Sequence, residues 1–263
     1  MRKIRFSSLI AGAALGATLL TPFAVFADDA PPTTASTSPT PAIACNARTA
    51  EYVANLEKAR ANADAKLQQV RAEYDAKLAA LRAANDAKLS ANRSAAEAKR
   101  LANEQARLLR NQNNQTLKDA ITAYYTAVNA AFQTRISAMD AAREAFRSAQ
   151  EAALTARRQA IDAAITARRN AIDTALASWK TRCTGTAADR KAANQTFQAA
   201  ITSARTAFQS TIKTALNDYS SAVKSAQATR VAAEKSTMDA WKSAVAAALQ
   251  TLQGVRKTIS SQK

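Results

Sequence analysis

Residues 46–182 contain neither glycine nor proline. A run of this length is hard to reconcile with strands and turns, which depend on those two residues, and is typical of long helices. Alanine, the strongest helix former, occupies about a quarter of all positions, whereas aromatic residues make up only 5%. So few aromatic side chains do not fit an ordinary globular core of this size. The sequence therefore predicts an all-α protein.

An eleven-residue repeat runs through the expected helices. Its clearest copies share the letters DAKL and end in arginine, and they are residues 61–71, 72–82 and 83–93, with a degenerate copy at 94–104. The period returns at residues 155–165 and 166–176, and in the series Phe197, Phe208 and Tyr219. Eleven residues complete three helical turns with a drift of only about 20°. The repeat therefore keeps one stripe buried along a straight or slightly right-handed coiled coil.

Arginine occurs within this stripe, at Arg135, Arg143, Arg157 and Arg168. Because a strict apolar seam would exclude arginine, we expect a loosely packed interface in which the stems cover apolar surface and the charged groups reach water. Arginine and aspartate also recur four residues apart within single helices, where each pair is worth about 0.2–0.5 kcal/mol. We interpret these pairs as a solvated helix face: Arg60–Asp64, Arg71–Asp75, Arg158–Asp162 and Arg169–Asp173.

The first 27 residues have the three parts of a secretory signal peptide. A basic start at residues 1–5 precedes an apolar run over about 9–25 and small residues at a cleavage position after Ala27. Residues 28–44 are rich in proline, threonine and serine, and are expected to form a disordered tether. We therefore expect a secreted protein of a bacterial cell envelope or surface, with no transmembrane segment after cleavage. A retained membrane anchor and a lipidated Cys45 are the less favoured alternatives.

The two cysteines, Cys45 and Cys183, are most simply one disulfide in an exported protein. Pairing them requires the intervening chain to turn back on itself. The midpoint of that chain is residue 114, which lies within the polar cluster at residues 111–115. The sequence therefore predicts a helical hairpin over residues 45–183 with its turn near 111–115.

A third long helix is expected over residues 184–263. It is long enough to run back along the hairpin, so the favoured architecture is an elongated, antiparallel three-helix coiled-coil rod. The alternative is one uninterrupted first helix in an oligomer, with Cys45 and Cys183 paired between chains. Self-association is compatible with either arrangement.

Catalytic chemistry is not expected. The chain has no histidine, so serine–histidine or cysteine–histidine catalysis and histidine zinc sites are excluded. A series of carboxylates recurs every eleven residues, about 16 Å apart on a helix, which is too far for an acid/base pair; its members are Asp140, Glu151, Asp162 and Asp173. Glycine-rich phosphate loops and metal-ligand clusters are also missing from the sequence. We therefore predict a protein that is not an enzyme and takes no cofactor or metal.

The formal net charge is +17, and it remains +14 once residues 1–27 are removed, because 34 basic residues then face 20 acidic ones. Such a field favours anionic wall polymers, lipid head groups or extracellular DNA as partners. Few aromatic residues lie among the basic ones, so sequence-specific reading of nucleic acid is not expected. The densest basic stretch is the candidate anion-binding site: Arg143, Arg147, Arg157, Arg158, Arg168 and Arg169.

The signal peptide, tether, alanine-rich repeats and flanking cysteines together resemble a loose group of exported helical proteins of bacteria. That resemblance rests on no specific motif, so it carries over no site residue. The repeats are more distantly similar to exchangeable apolipoproteins and to late embryogenesis abundant proteins. The leading hypothesis is an exported, non-enzymatic coiled-coil structural or surface-spacer protein with electrostatic affinity for anionic envelope polymers. The alternatives are an amphipathic lipid-binding or stress-protective helical protein, and an extracellular nucleic-acid binder.

Overall fold

The computed structural model describes residues 41–261. These residues form three long α-helices, α1 (Pro41–Arg110), α2 (Gln115–Arg182) and α3 (Ala187–Ser261). About 96% of the described residues are helical and none of them lies in a strand. The predictions of an all-α fold, a hairpin and a third long helix are therefore confirmed. The expected signal peptide and residues 28–40 of the expected tether lie outside the described residues.

Helix α1 begins at Pro41, four residues before the boundary predicted at Cys45. Proline suits the first turn of a helix because its fixed φ matches the helix and the amide hydrogen that it lacks has no partner there. The tether predicted over residues 28–44 therefore overlaps α1 at residues 41–44. None of the described helices is long and apolar enough to cross a membrane.

Two asparagines form the turn between α1 and α2. Asn111 Nδ2 donates to the carbonyl oxygen of Arg107 at 2.7 Å, which satisfies one of the free acceptors at the end of α1. Asn114 Oδ1 accepts a hydrogen bond from the amide of Leu117 at 2.9 Å, so Asn114 caps the start of α2. The turn predicted near residues 111–115 is therefore confirmed, and side-chain caps replace the glycine or proline usual at such sites.

A capping box opens α3. The Thr186 amide and hydroxyl donate to Asp189 Oδ2, at 2.9 and 2.7 Å, while Thr186 Oγ1 accepts from the Asp189 amide at 3.2 Å. Hydrogen bonds from the Thr186 side chain and backbone lower the pKa of Asp189. A Cβ atom added to Gly185 would lie 2.8 Å from Asp189 Oδ2. Glycine at position 185 therefore leaves room for the carboxylate that caps the helix.

The described helices divide into two compact units. Unit 1 contains the described residues up to Ala80 together with Arg158–Leu216, and its core lies where segments of all three helices meet. The ring of Phe197 on α3 lies 6.0 Å from that of Tyr52 on α1 and 6.4 Å from that of Trp179 on α2. A second cluster joins α2 to α3, and its buried residues are Ile161, Ala164, Phe208 and Ile212.

Cys45 and Cys183 lie in unit 1 at the distance required for a disulfide. Their Cα atoms are 6.2 Å apart, and both residues are buried. The pair joins the N-terminal part of α1 to the residue that follows α2. The hairpin topology therefore brings together the two cysteines that the sequence paired.

Unit 2 contains Leu81–Arg157 and the described residues from Asn217 onward. Its one cluster of buried apolar residues joins Ile121 and Tyr125 of α2 to Leu252 of α3, and Leu108 of α1 packs against it. Ile121 is fully buried, and burial raises the pKa of Tyr125. Leu154 of α2 is also buried in unit 2, and charged side chains make further contacts between its helices.

Candidate anion-binding surface

Reciprocal ion pairs join α1 to α2 in unit 1. Each arginine of one helix reaches a carboxylate of the other, and the nitrogen–oxygen distances are 2.5–2.7 Å; the pairs are Arg60–Asp173, Arg169–Asp64, Arg71–Asp162 and Arg158–Asp75. Arg60, Arg71 and Arg158 each use both terminal nitrogens on both carboxylate oxygens. This is the fork geometry in which arginine binds carboxylates most strongly.

The same pattern occurs within unit 2, where the pairs are Arg82–Glu151, Arg147–Asp86 and Arg93–Asp140. In every pair of both units the two residue numbers add up to 233, as 60 and 173 or 93 and 140 do. A constant total means that the two helices are antiparallel in a fixed register within each unit. Successive pairs of the same kind are also eleven residues apart. We call these seven pairs the ion-pair ladder.

The interpretation of the arginine–aspartate spacing as pairs within one helix is therefore wrong. Arg71, for example, binds Asp162 across the interface rather than Asp75 on its own helix. Arginine placed before aspartate at i,i+4 has the weaker orientation within a helix, whereas the neighbouring helix offers a carboxylate that can be bound by both nitrogens. The repeat thus encodes contacts between the arms of the hairpin.

The ladder changes the acidity of its members. Hydrogen bonding from Arg147 lowers the pKa of Asp86, and hydrogen bonding from Arg93 lowers the pKa of Asp140. The contact with Asp86 raises the pKa of Arg147. Because the carboxylates remain about half exposed, solvent screens each pair and the contribution of a single pair to stability is small. Seven pairs of one design therefore define the alignment of the arms within one eleven-residue repeat, but they are also compatible with a displacement by whole repeats.

A second ladder joins α2 to α3. In unit 2 the guanidinium carbon of Arg157 lies 5.2 Å from the ring centre of Tyr219, and Arg135 lies 4.9 Å from that of Trp241. In unit 1 Arg168 lies 5.5 Å from the ring centre of Phe208. These contacts are cation–π interactions, which strengthen when the cation is removed from water. We call this set of contacts the cation–π ladder.

One rung of the cation–π ladder is inverted. Arg230 of α3 lies 4.9 Å from the ring centre of Phe146 on α2, so the cation here comes from the other helix. The numbers of all four cation–π pairs add up to 376, as 157 and 219 or 146 and 230 do. The ring pair Trp179 and Phe197 in unit 1 has the same total. Helix α3 is therefore antiparallel to α2, again with an eleven-residue step.

The expectation that the stripe arginines reach water is wrong for Arg157, which is only 6% exposed. Burial also lowers the pKa of Arg135, whose Nε has no hydrogen-bond partner among the described residues. The signal for these contacts was present in the sequence. Aromatic residues recur at the eleven-residue spacing of α3, and three of them, Phe208, Tyr219 and Trp241, lie opposite arginines of α2. The fourth, Phe197, lies opposite Trp179.

The six arginines of the predicted anion-binding stretch all lie in these contacts. Arg147, Arg158 and Arg169 belong to the ion-pair ladder, and Arg143 binds Asp140 at 2.8 Å. The remaining two, Arg157 and Arg168, lie against aromatic rings. Five of the six arginines therefore join helices, while Arg143 binds a carboxylate of its own helix. Anion binding by these residues stays a prediction, and it would have to compete with the contacts described.

Lysines, which sequence reasoning did not single out, form two exposed rows. On α1 the row is Lys66, Lys77, Lys88 and Lys99, and on α3 it is Lys191, Lys213, Lys224, Lys235 and Lys257. Every member is exposed, and along α1 the spacing of eleven residues corresponds to about 16.5 Å. The signal was the lysine of the DAKL repeat, two positions after the ladder aspartate and therefore about 200° round the helix.

The α1 row carries unneutralised charge. Within residues 41–261, no carboxylate oxygen lies within 4.0 Å of the Nζ atoms of Lys77, Lys88 or Lys99. On α3, Lys235 of the row shares Asp239 with Lys242, at 2.9 and 3.4 Å, and these hydrogen bonds lower the pKa of Asp239. The α1 lysines, which are exposed and evenly spaced, are therefore candidates for contact with a polyanion.

The described residues contain no group of three or more histidine, cysteine or acidic side chains that would hold a metal ion. The carboxylates at eleven-residue spacing, Asp140, Glu151, Asp162 and Asp173, each bind an arginine of α1. A comparison of the chain with protein-family models, curated proteins and solved structures finds no match. The distribution of charge over the described residues is therefore the feature that bears on function.

Proposed function

We propose that this protein is an exported, non-enzymatic helical spacer that associates electrostatically with an anionic polymer of the cell envelope. The observation that carries the proposal is that its two kinds of cation occupy different places in the structure. Arginines are used between helices, in the ion-pair and cation–π ladders, while lysines stand on the outer faces. The positive charge available to a partner is therefore mainly that of the lysines.

The chemistry of the two side chains supports this division. The planar guanidinium group binds carboxylates with two hydrogen bonds and stacks on rings, so it suits helix interfaces. The lysine ammonium group is a compact, well hydrated charge on a flexible stem, so it suits loose contact with a mobile chain of anions. Repeated single charges of this kind favour affinity by number over recognition of one small ligand.

Export is the second part of the proposal. It is supported by the signal-like residues 1–27 and by the Cys45–Cys183 pair, since disulfides persist mainly in oxidising compartments. A tether rich in proline and threonine would separate the helices from the point of attachment or secretion. A helical body on such a tether suits a spacer at a surface.

The test is the salt dependence of binding. The mature chain, from residue 28, is titrated with inorganic polyphosphate and with neutral dextran at several sodium chloride concentrations. We expect polyphosphate to bind with an affinity that falls steeply with salt, and dextran not to bind. In the variant K66Q/K77Q/K88Q/K99Q the slope of log affinity against log salt should fall by about three, using about 0.7–0.9 per phosphate contact as in nucleic acids.

The matched control is R143Q/R147Q/R158Q/R169Q, which removes the same formal charge from the arginine stretch. We expect a smaller change of slope in this variant, provided that circular dichroism shows it to be folded. Equal losses of slope in both variants would mean that only net charge matters, and would contradict the assignment to the lysine row. Helix content that rises only on addition of anionic vesicles would instead support the lipid-binding alternative.

A further inference from the structure

The rungs of the cation–π ladder in unit 2 are not all alike, whereas the ion-pair ladder repeats the same contacts every eleven residues. Three successive rungs pair Arg157 with Tyr219, Phe146 with Arg230, and Arg135 with Trp241. The cation comes from α2 at the outer rungs and from α3 at the middle one. Each rung nevertheless contains one cation and one ring, so the native alignment has no conflict.

A displacement of α3 by one repeat would create a conflict in either direction. Moved one way, Arg230 would lie opposite Arg157, and moved the other way it would lie opposite Arg135. Arg157 is almost fully buried and burial lowers the pKa of Arg135, so two cations would meet with little water to screen them. Glu234 lies 3.6 Å from Arg230 and offsets the charge of one guanidinium group only.

Within one chain this information is redundant. The connection between α2 and α3 has four residues, 183–186, and a displacement of eleven residues corresponds to about 16.5 Å along the helix. The α3 of a second copy has no such connection to the hairpin that it meets. A staggered docking of that kind leaves part of the seam uncovered at each end, so it does not close on itself and leads to open-ended assembly.

We propose that Arg230, placed against Phe146, is a specificity-determining residue that prevents α3 of a second copy from docking on α2 in a staggered register. Arg230 faces another arginine in the displaced alignments and an aromatic ring in the native one, so it disfavours the former without destabilising the latter. Specificity against unwanted partners is commonly achieved in this way. The partner concerned is another copy of this chain, and the surface is the α2 side of the cation–π ladder.

The test exchanges the two side chains of the inverted rung. In F146R/R230F every native rung still has one cation and one ring, while both displaced registers lose their conflict. Wild type and variant, with the disulfide intact, are unfolded in denaturant and refolded at low and high protein concentration. Size-exclusion chromatography with light scattering should show a mean mass for the variant that rises by about twofold or more at high concentration relative to wild type.

Two further variants guard against a folding defect and against a general effect of exchange. R230L removes the cation while placing an apolar residue against Phe146, so it should also form staggered species. The exchange R157Y/Y219R also swaps a cation and a ring within one rung, but it keeps a conflict in both displaced registers. In one of them Arg230 still lies opposite Arg135, and in the other Arg168 lies opposite the arginine introduced at position 219. This variant should refold with the wild-type mass. If the helical F146R/R230F and R230L proteins both keep the wild-type mass distribution, the proposal is overturned.

Discussion

Arg71 of α1 donates two hydrogen bonds to Asp162 of α2, of 3.2 and 2.7 Å, across a sequence separation of 91 residues. Its counterpart is Arg158 of α2, which donates two hydrogen bonds to Asp75 of α1. Each arm thus gives an arginine and receives one within the same repeat. The two arms are therefore complementary because they carry similar charge patterns in opposite chain directions.

Removing one partner of a rung should weaken the hairpin slightly and specifically. We expect R71Q to lower the free energy of unfolding by about 0.2–1 kcal/mol, because the guanidinium group is partly shielded and Asp162 is half exposed. The exchange R71D/D162R should recover most of that loss, since it restores the pair with reversed polarity. Chemical denaturation of wild type, R71Q, D162N and R71Q/D162N measures the coupling free energy between the two side chains, and the same measurement on R71D/D162R tests the recovery. K77Q is the control, and a coupling of zero would contradict the ladder.

Acid should weaken the hairpin through the ladder carboxylates. Hydrogen bonding from Arg93 depresses the pKa of Asp140 in the folded state. The stability contributed by this rung is therefore complete above the unfolded pKa, near 3.9, and is lost as the pH falls through the lower folded value. Melting temperatures between pH 6 and pH 2 should fall below about pH 4. D140N should melt lower than wild type at pH 6 and show a smaller fall, and parallel curves would contradict this prediction.

Opening the disulfide should destabilise the hairpin without changing its helix content. The pair closes a loop with a sequence separation of 138, which is worth about 5 kcal/mol when the effect is attributed to chain entropy. C45S should therefore lower the melting temperature while leaving the far-ultraviolet circular dichroism unchanged at 20–25 °C.

Peptide mapping under non-reducing conditions provides the covalent check. Cys45 and Cys183 should be found linked within a monomer. Two free thiols would contradict the disulfide, and a covalent dimer would favour the rival arrangement of continuous helices. The result also bears on the register of the two arms. An eleven-residue shift of the ion-pair ladder brings arginines opposite new carboxylates, so the ladder fixes the alignment only together with the turn and the Cys45–Cys183 pair.

The partly buried arginine at position 135 should be replaceable. Its guanidinium group is desolvated, and its Nε has no hydrogen-bond partner among the described residues. R135M, which keeps the length of the stem and removes the charge, should change the free energy of unfolding by less than about 1 kcal/mol or increase it. W241A removes the ring of the same rung and should cost more than R135M does, because the partly buried indole loses its packing against α2. A large loss in R135M would show that the cation–π contact outweighs desolvation.

Local sequence rules were sufficient for the helices and their turns. The absence of glycine and proline, the asparagines at 111–114 and the Cys45–Cys183 pair gave the fold class, the hairpin and the placement of α3. The start of α1 was missed because proline, which ends helices elsewhere, is compatible with the first turn. Such signals act over a few residues, so they are visible in one sequence.

Contacts between helices were harder to predict. The pairs Arg60–Asp64 and Arg60–Asp173 are equally compatible with a repeat, and only the alignment of the arms distinguishes them. Similarly, Arg157 in an apolar stripe suggests solvation until Tyr219 is known to face it. The eleven-residue spacing defined the stripes, but which stripe meets which depends on tertiary packing that a periodicity does not contain.

The common step of both ladders makes the length of this protein adjustable in fixed increments. A chain lacking residues 72–82, 151–161 and 215–225 would lose whole rungs, since Asp75 and Arg82 would leave with Arg158 and Glu151, and Tyr219 with Arg157. Every remaining rung would keep its partner. Duplication or loss of such matched segments would thus change the length of the helices by about 16.5 Å at a time without requiring a new kind of contact between them.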